Sequence, residues 1–580
     1  MSAPPPLKYA ELLAEVQAMR GAVDGRPYRV VILSNVTLSP LVGVLEWALL
    51  KEGIPPNVEV GEFDTIVQLS ERLEDVDAAI IFWEAANLAS DLPAMAEIFT
   101  EQRLDELAEG FAAAVDQALD NLRRVPLVLM NRFSALPFER HALRDGGLSH
   151  IVRRLNAALD ARSDRNLVLV DVDKVYAMTG LGEALDFRQF HSAKALHTLA
   201  FLKQWVRHVL PAFRAATGRA RKLLAVDLDN TLWGGVLGED GEEAILMDDL
   251  TPAGAAFREA QLILKGWRRE GVLLAILSKN NPEDVEHVLA HHPSMQLRDD
   301  DFVAKQVGWG EKIDGLRALA EELNLGLDSF VLLDDSPFEL ERVAQAAPEV
   351  AILRVPERLS DYPGMLRSAR GLFFTLSTTD EDRARTEMYR AGAARRAAEG
   401  RHASVDEYIA SLGLEVSVLE GRAVNVARAA QMTQKTNQFN LTTRRYTEGD
   451  IDRFVADPDT LVATFGVRDR FGDYGVTALA IARLDRDEAT AHLDTLLMSC
   501  RVLGRKVELA LMNWLAERLR RAGALELTAE YLRTSKNAQV ASLLPQLGFA
   551  TVSDAPERSS YRLSLAAYAE RPVPNIEVRA

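Results

Sequence analysis

The sequence predicts an α/β protein with two strand–helix series and a mixed α+β region after them. Three observations carry this. From Tyr28, short Val- and Ile-rich runs without polar alternation are separated by amphipathic helices, the pattern of parallel strands buried on both faces. From Leu223 a second such series begins, and its strands run into polar, loop-like clusters. From Ser404 the texture changes to longer strands interleaved with fewer helices. With 580 residues, and ~100–200 residues per domain, three or four units are expected.

In the first series the strands are read at Arg29–Ser34, Val58–Phe63, Ala78–Trp83, Val125–Asn131 and Leu167–Val172. Helices such as Pro40–Glu52 and Leu148–Ala161 separate them, a long helix Ser192–Ala216 closes the unit, and Thr217–Lys222 reads as a linker. The second series has strands Leu223–Asp227, Val272–Leu277, Phe330–Leu333 and Val350–Val355. Ser360–His402 is Arg- and Ala-rich and reads as a solvated connecting helix. The last region opens with a helix Val424–Gln438, then strands Leu461–Val467, Gly475–Arg483 and Ala491–Met498. A helix from near Gly504, a strand Leu525–Tyr531, a helix near Ser535–Leu544 and a strand Tyr561–Leu565 complete it. The expected domains are therefore 1–218, 219–360, a helical linker 361–403, and 404–580.

Composition narrows the function. The chain is 48% hydrophobic and 26% charged, so global disorder is excluded. Its 67 Lys+Arg against 85 Asp+Glu leave a net charge of −18, which argues against nucleic acid as a partner, because duplex binding needs a basic stripe. No stretch reaches the ~18 uninterrupted apolar residues of a membrane span, and the N-terminus lacks a basic segment followed by an apolar core. A cytoplasmic protein without a membrane partner is expected. A single cysteine, Cys500, excludes an internal disulfide and any Cys-based zinc site.

The sharpest chemical signal is AVDLDNTLWGG, which sets Asp227, Asp229 and Thr231 just past a buried strand. Residues i and i+2 leave a strand on the same side, so both carboxylates can face one site. One can attack phosphorus while the other handles the proton of the leaving oxygen. Carboxylates this close repel unless a cation sits between them, and Mg2+ suits an all-oxygen site. Further along, Ser278 in LAILSKNN can bond a phosphoryl oxygen, and Lys312 in GWGEKIDG can hold developing charge. Asp334 and Asp335 in LLDDSPFE add metal ligands.

This ordered set resembles the haloacid dehalogenase (HAD) superfamily, with motifs DxDxT, Ser/Thr, Lys and DD. The resemblance implies a Rossmann-like domain with Asp227 as phosphoryl-accepting nucleophile and Asp229 as general acid/base. Ser278 and Lys312 would clamp the phosphoryl group, and Mg2+ would be held by Asp227, the Asp229 carbonyl and Asp335, with Asp334 beside it.

Cys500 lies between a strand and an amphipathic helix, with Arg501, Arg505 and Lys506 close by in sequence. A helix N-terminus and neighbouring cations favour thiolate over thiol; the plain alternative is an inert buried side chain. The turn Arg501–Lys506 resembles the phosphate-holding R-x-x-G-x-G/A loop of GNAT-type acyltransferases, which implies Arg501, Gly504 and Arg505 as contacts for a phosphopantetheine arm. Lys506 stands where that family has a small residue, so a carrier's single phosphate fits more easily than a coenzyme A pyrophosphate. Asn537, at a later strand-to-helix junction, is a second candidate contact. In QMTQKTNQFNLTTRRY, the TNQFN run reads either as a polar helix cap or as a polyol- or acyl-binding segment through Asn437, Gln438 and Asn440, with Thr231 a further substrate-side candidate. DRFGDYG reads as a turn between strands.

Taken in order, DLDNTLWGGVLGEDG, LSKNN, LLDDSPFE, TNQFN, DRFGDYG and MSCRVLGR resemble the FkbH-type family of HAD proteins, over Leu223 to about Leu565. That resemblance implies Mg2+-dependent dephosphorylation of 1,3-bisphosphoglycerate or a similar acyl phosphate. The glyceryl group would be held as a thioester at the position of Cys500 and passed to an acyl carrier protein in polyketide-type biosynthesis. The first unit resembles a degenerate SGNH-hydrolase-like α/β/α domain, with Ser34 after the first strand and Asn87 after a later one. Its DxxH base is missing: Asp186 is followed by Phe187-Arg188-Gln189, so Ser34 is read as structural and the domain as a docking module. The alternatives are a stand-alone HAD phosphatase with a substrate-binding C-terminal domain, and a non-enzymatic assembly protein.

Overall fold

The fold is that of a computed structural model, which describes every residue outside 1–7, 24, 140–142, 377–385, 390–404, 471, 500–501, 535, 574 and 580. The chain forms two compact units: Met1–Thr217 with Thr447–Asp450, and Gly218–Tyr446 with Ile451–Ala580. Among the described residues no helix is long and apolar enough to cross a membrane.

The first unit holds a five-stranded parallel sheet of β1 (Tyr28–Ser34), β2 (Pro56–Val60), β3 (Ala78–Phe82), β4 (Leu127–Asn131) and β5 (Leu167–Val170), in the order β2-β1-β3-β4-β5. The central strands β3 and β4 are buried throughout. The edge strand β2 is largely exposed, so the two-sided burial read from sequence holds in the middle of the sheet and fails at that edge. The long closing helix is shorter than expected, Leu199–Ala216, because Lys194 takes a left-handed conformation (φ 54°) that ends the preceding helix Phe187–Ala193.

In the second unit, β6 (Leu223–Val226), β7 (Leu273–Ser278), β8 (Ala304–Val307), β9 (Phe330–Asp334) and β10 (Ala351–Arg354) form another five-stranded parallel sheet, ordered β10-β9-β6-β7-β8. Leu224, Val226, Leu274, Ile276, Val331 and Leu333 face one apolar layer and Leu223, Ala225, Leu273, Ala275, Phe330 and Leu332 the other. This alternation is why these strands read as continuous apolar runs. Strand β8 was not foreseen, because AKQV is too short and polar to stand out. The presumed linker is ordered from Gly218 onward. The Arg221 guanidinium donates to the Asp328 carbonyl and, at 2.7 Å, to the Glu349 carbonyl, while the Lys222 amide donates to the Ser329 carbonyl at 2.8 Å.

The third sheet has eight strands, β11 (Leu414–Glu420), β12 (Thr460–Asp469), β13 (Gly472–Asp485), β14 (Thr490–Met498), β15 (Glu526–Leu532), β16 (Ala550–Asp554), β17 (Arg558–Ser564) and β18 (Ile576–Arg579). Their order is β16-β17-β15-β14-β13-β12-β11-β18. β14 and β15 pair in parallel only from Thr490↔Glu526 to Leu493↔Ala529 and then part. The wedge between them is closed by the chain itself: the Leu441 amide donates to the Leu496 carbonyl (3.2 Å), Met498 to Phe439 (3.0 Å), and Leu532 to Leu441 (2.9 Å). The expected helix near Ser535–Leu544 is only two short turns, Ala538–Val540 and Leu543–Gln546, and Ser535 itself lies outside the described residues.

A carboxylate cluster at the strand ends and a polar loop at the β14 terminus

In a parallel sheet flanked by helices, ligands meet the carboxyl ends of the strands. At those ends of β6, β7 and β9 the second sheet brings together Asp227, Ser278 and Asp334. Lys312 joins them from the first turn of the helix Lys312–Leu323, which follows β8. Asp334 is fully buried and Lys312 nearly so, and the Lys312 ammonium lies 3.1 Å from Asp227 Oδ1 while also bridging to Asp334. Ser278, like Lys312, acts to lower the Asp227 carboxyl against the effect of burial. The second oxygen of Asp334 accepts from the Ser336 amide at 2.8 Å, where Ser336 caps the helix Pro337–Ala346.

Asp227, Asp334 and Asp335 carry ligand oxygens all within 4.8 Å of one another. Burial raises all three carboxyls, with mutual repulsion adding at Asp334 and Asp335, and the Lys312 ammonium only partly offsets this. Burial pulls the Lys312 ammonium down, but Asp227 and Asp334 outweigh it and hold it above its ordinary value. A buried donor set made of carboxylates alone, with more negative charge than one lysine balances, fits a hard divalent cation.

Asp229 is placed differently. Its Oδ1 accepts from the Trp233 indole (2.9 Å) and the Leu237 amide (3.1 Å), and its Oδ2 accepts from Asn280 Nδ2 at 2.9 Å. Its side chain is therefore not part of the three-carboxylate group; the expectation for it rests on the backbone carbonyl. The turn that aims it needs Asn230 at φ 51° and Gly235 at φ 99°, and a Cβ on Gly234 would sit 2.8 Å from the Phe257 ring. Thr231 is wholly buried, its carbonyl accepts from the Tyr362 hydroxyl at 2.9 Å, and its own hydroxyl has no partner among the described residues. Its burial contrasts with the substrate-side position expected of it. Asn280 and Tyr362 were missed from sequence. The polar run SKNN after a buried strand was the available signal for Asn280; Tyr362 carries none, being 131 positions from its partner.

The GNAT-like candidates are redistributed. Cys500 and Arg501 lie outside the described residues. Gly504 (φ 76°) and Lys506 (φ 59°) both take left-handed backbone just ahead of the helix Val507–Arg521, a conformation that is strained for lysine. Arg505 is turned inward. Its guanidinium stacks 4.9 Å over the Tyr474 ring and donates to the Tyr474 hydroxyl, which donates in turn to Asp469 at 2.6 Å. DRFGDYG is thus a β12–β13 turn that also anchors the loop, and Arg505 is not a surface contact for a carrier.

Asn537 is likewise committed. Its amide donates to the carbonyls of Asn440 (3.0 Å) and Leu532 (2.9 Å), and its oxygen accepts from the Thr534 amide at 2.8 Å. It ties the β15 end to the TNQFN loop, and its buried amide is taken up by these bonds, where a contact to a phosphopantetheine arm was expected. The helix before that loop, Val426–Lys435, stops three residues earlier than expected, leaving Asn437 and Gln438 in irregular backbone. Asn440 is buried and accepts from the Thr442 and Thr443 amides, so it braces the loop and does not face a ligand. Asn437 is held by Arg445 Nη2 at 2.7 Å. Asn437 and Gln438, by contrast, line a cavity.

In the first unit, Ser34 is buried at the end of β1, beside a polar network. Asn35 exchanges bonds with the backbone of Glu84, and Asn87 Nδ2 donates to the Asn35 carbonyl at 2.9 Å. Asp186 caps a helix, and His191 is exposed.

No family model matches the chain, and no curated protein sequence does. Among solved structures, the N-terminal part of the protein BF1531 from Bacteroides fragilis, containing a phosphatase domain and complexed with Mg, is 23% identical with a TM-score of 0.56. It covers 64% of this chain and 100% of its own. At that identity the likeness is one of fold. The ribosomal-protein-S18-alanine N-acetyltransferase from Escherichia coli aligns at 16% identity and TM-score 0.21, over 27% of this chain and 98% of its own. An N-acetyltransferase from Staphylococcus aureus aligns at 14% and 0.21, over 26% and 97%. What this chain shares with the BF1531 structure is an α/β fold with parallel sheets.

Proposed function

We propose that the protein is a Mg2+-dependent phosphatase of HAD type that also transfers the acyl group of an acyl phosphate, a glyceryl group from 1,3-bisphosphoglycerate, through Cys500 to an acyl carrier protein. The single observation that carries the phosphatase half is the convergence of Asp227, Ser278, Lys312, Asp334 and Asp335 at the carboxyl ends of one parallel sheet. The Mg complex of the BF1531 phosphatase-domain structure supports the choice of cation.

Asp227, Asp334 and Asp335, with the Asp229 carbonyl, would hold Mg2+, which when bound neutralises charge on the phosphoryl oxygens. The Asp227 carboxylate attacks phosphorus in line; the new O–P bond forms as the bond to the leaving oxygen breaks. Asp229, oriented by Trp233 and Asn280, gives that oxygen a proton and then takes one from the water that hydrolyses the aspartyl-phosphate. Lys312 and Ser278 hold the transferring group against the charge that develops on it. In the acyl half, the thiolate adds to the acyl-phosphate carbonyl, a C–S bond forms and phosphate leaves with the electron pair.

The inward turn of Arg505 and the commitment of Asn537 favour a second reading, a stand-alone phosphatase whose C-terminal domain binds substrate. One experiment separates them. Intact-mass analysis with 1,3-bisphosphoglycerate, Mg2+ and a carrier protein is expected to show a glyceryl adduct on the carrier that is lost in Cys500→Ala. Unchanged transfer by Cys500→Ala removes the covalent relay. Absence of any adduct, with phosphate release intact and stopped by Asp227→Asn, establishes the second reading.

A further inference from the structure

The carboxylate cluster offers oxygen alone, and the same unit carries a pair of nitrogen ligands elsewhere. The helix Pro282–His291 follows β7 and presents His287 and His291, both exposed to solvent. Residues i and i+4 lie one above the other on a helix face. The two imidazole rings are 4.5 Å apart between centroids and inclined by 30°. His291 is the last residue of that helix, about 14 Å along its axis from Pro282. The pair is therefore a separate place from the strand end that carries Ser278.

In both rings Nδ1 is committed and Nε2 is not. His287 Nδ1 meets Glu242 Oε2 at 2.7 Å, and His291 Nδ1 meets the His287 carbonyl at 3.2 Å. A carboxylate and a carbonyl can only accept, so Nδ1 carries the proton in each ring, and the neutral ring keeps its lone pair on Nε2. Neither Nε2 has a partner among the described residues. Histidines that ligate metals are held in this way, one nitrogen donating to a carboxylate or backbone carbonyl and the other binding the ion. The next histidine is held the opposite way. His292 Nδ1 accepts from the Ser294 amide at 3.3 Å, so its Nε2 carries the proton and has no lone pair to offer. Imidazole nitrogen suits Zn2+, Ni2+ and Cu2+, whereas Mg2+ is bound through oxygen. Two histidines one helical turn apart close a chelate, as those of H-E-x-x-H helices do, and water fills the remaining positions.

We infer that His287 and His291 form a second metal site, which takes a divalent transition cation through both Nε2 atoms while Glu242 orients His287. The site stands apart from the phosphatase reading, because it requires only binding. The probe is Ni2+, titrated calorimetrically into the full chain without a histidine tag and with Mg2+ in large excess to fill the carboxylate cluster. Binding is expected to be lost in His287→Ala and in His291→Ala, to weaken about tenfold in Glu242→Gln, and to be unchanged in His292→Ala and Asp227→Asn. Both histidines are exposed, so their variants are expected to keep the denaturant midpoint of the unmodified chain. The unmodified chain supplies a second measurement: one equivalent of Cu2+ is expected to show electron-paramagnetic-resonance splitting from two imidazole nitrogens. No Ni2+ binding, binding that survives His287→Ala and His291→Ala, equal loss in Asp227→Asn, or Cu2+ without nitrogen splitting would overturn the inference. Failure of the phosphatase reading shows instead as absent Mg2+-dependent phosphate release, which neither measurement reads.

Discussion

Two five-stranded parallel sheets in one chain gather polar side chains at their carboxyl ends, and they treat them in opposite ways. In the first unit Asn35, Glu84, Asn87, Tyr176 and His197 are linked by hydrogen bonds beside Phe82 and Phe201, with only Asn87 Oδ1 and His197 Nδ1 of these groups left without a partner among the described residues. Burial holds the Glu84 carboxyl up at about 7 and the His197 imidazole down at about 3, so both are neutral together over much of the intervening range. In the second unit three carboxylates face one lysine, and the charge is left incomplete. A parallel sheet supplies the place; buried charge left uncompensated is what marks it as a candidate site for chemistry.

The comparison breaks most visibly at the nucleophiles. Asp227→Asn is expected to lower Mg2+-dependent phosphate release by about 10⁴-fold, whereas Ser34→Ala leaves it within a factor of two, measured by steady-state kinetics on an acyl phosphate. Equal losses from both would erase the distinction between the sheets.

Next is Asn280→Ala, which leaves Asp229 without one of its three donors. A loss of about 10²-fold in kcat with KM little changed is expected, and rescue by Asn280→Gln would be partial.

The buried pair in the first unit shows itself in stability against pH. Glu84, raised from 4.5 to about 7, contributes stability that is complete below 4.5 and lost as pH rises through 7. His197, lowered from 6.5 to about 3, contributes stability that is complete above 6.5 and lost as pH falls through 3. Between 4.5 and 6.5 the two slopes oppose each other and nearly cancel. Glu84→Gln should expose the His197 slope, a rise of about 1.4 kcal/mol per pH unit over that range in urea unfolding of the first unit. A flat profile in Glu84→Gln would show that the imidazole is not held neutral by burial.

The smallest effect concerns the loop at β14. Asn537→Ala removes four side-chain hydrogen bonds and is expected to cost about 1–3 kcal/mol, read by denaturant midpoint, with phosphate release unaffected.

Much of this was open to reading in the chain alone. Strands β6, β7 and β9 announced themselves as apolar runs ending in charge, because burial on two faces forbids polar alternation and catalytic groups cannot sit inside it. Asp227, Ser278, Asp334 and Asp335 lie at those ends, while Lys312 was read from its own motif, GWGEKIDG, ahead of a helix. Strands β8, β16 and β18 did not, since short polar or exposed edges carry little pattern. β11 had the pattern, with Leu414, Val416 and Val418 pointing inward, and was overlooked.

Residue type and spacing along a strand determined which carboxylates meet at the strand ends, because alternation and strand direction are local properties. Tertiary structure alone decided the contacts of Arg505, which turns inward to Tyr474, and of Asn537, which bonds the Asn440 backbone, while Asn440 braces the backbone of its own loop. It alone set a cavity at the other end of the same sheet. Whether a polar side chain faces a ligand or a neighbour depends on partners tens of residues away, and hydrogen-bonding capacity is the same in either case.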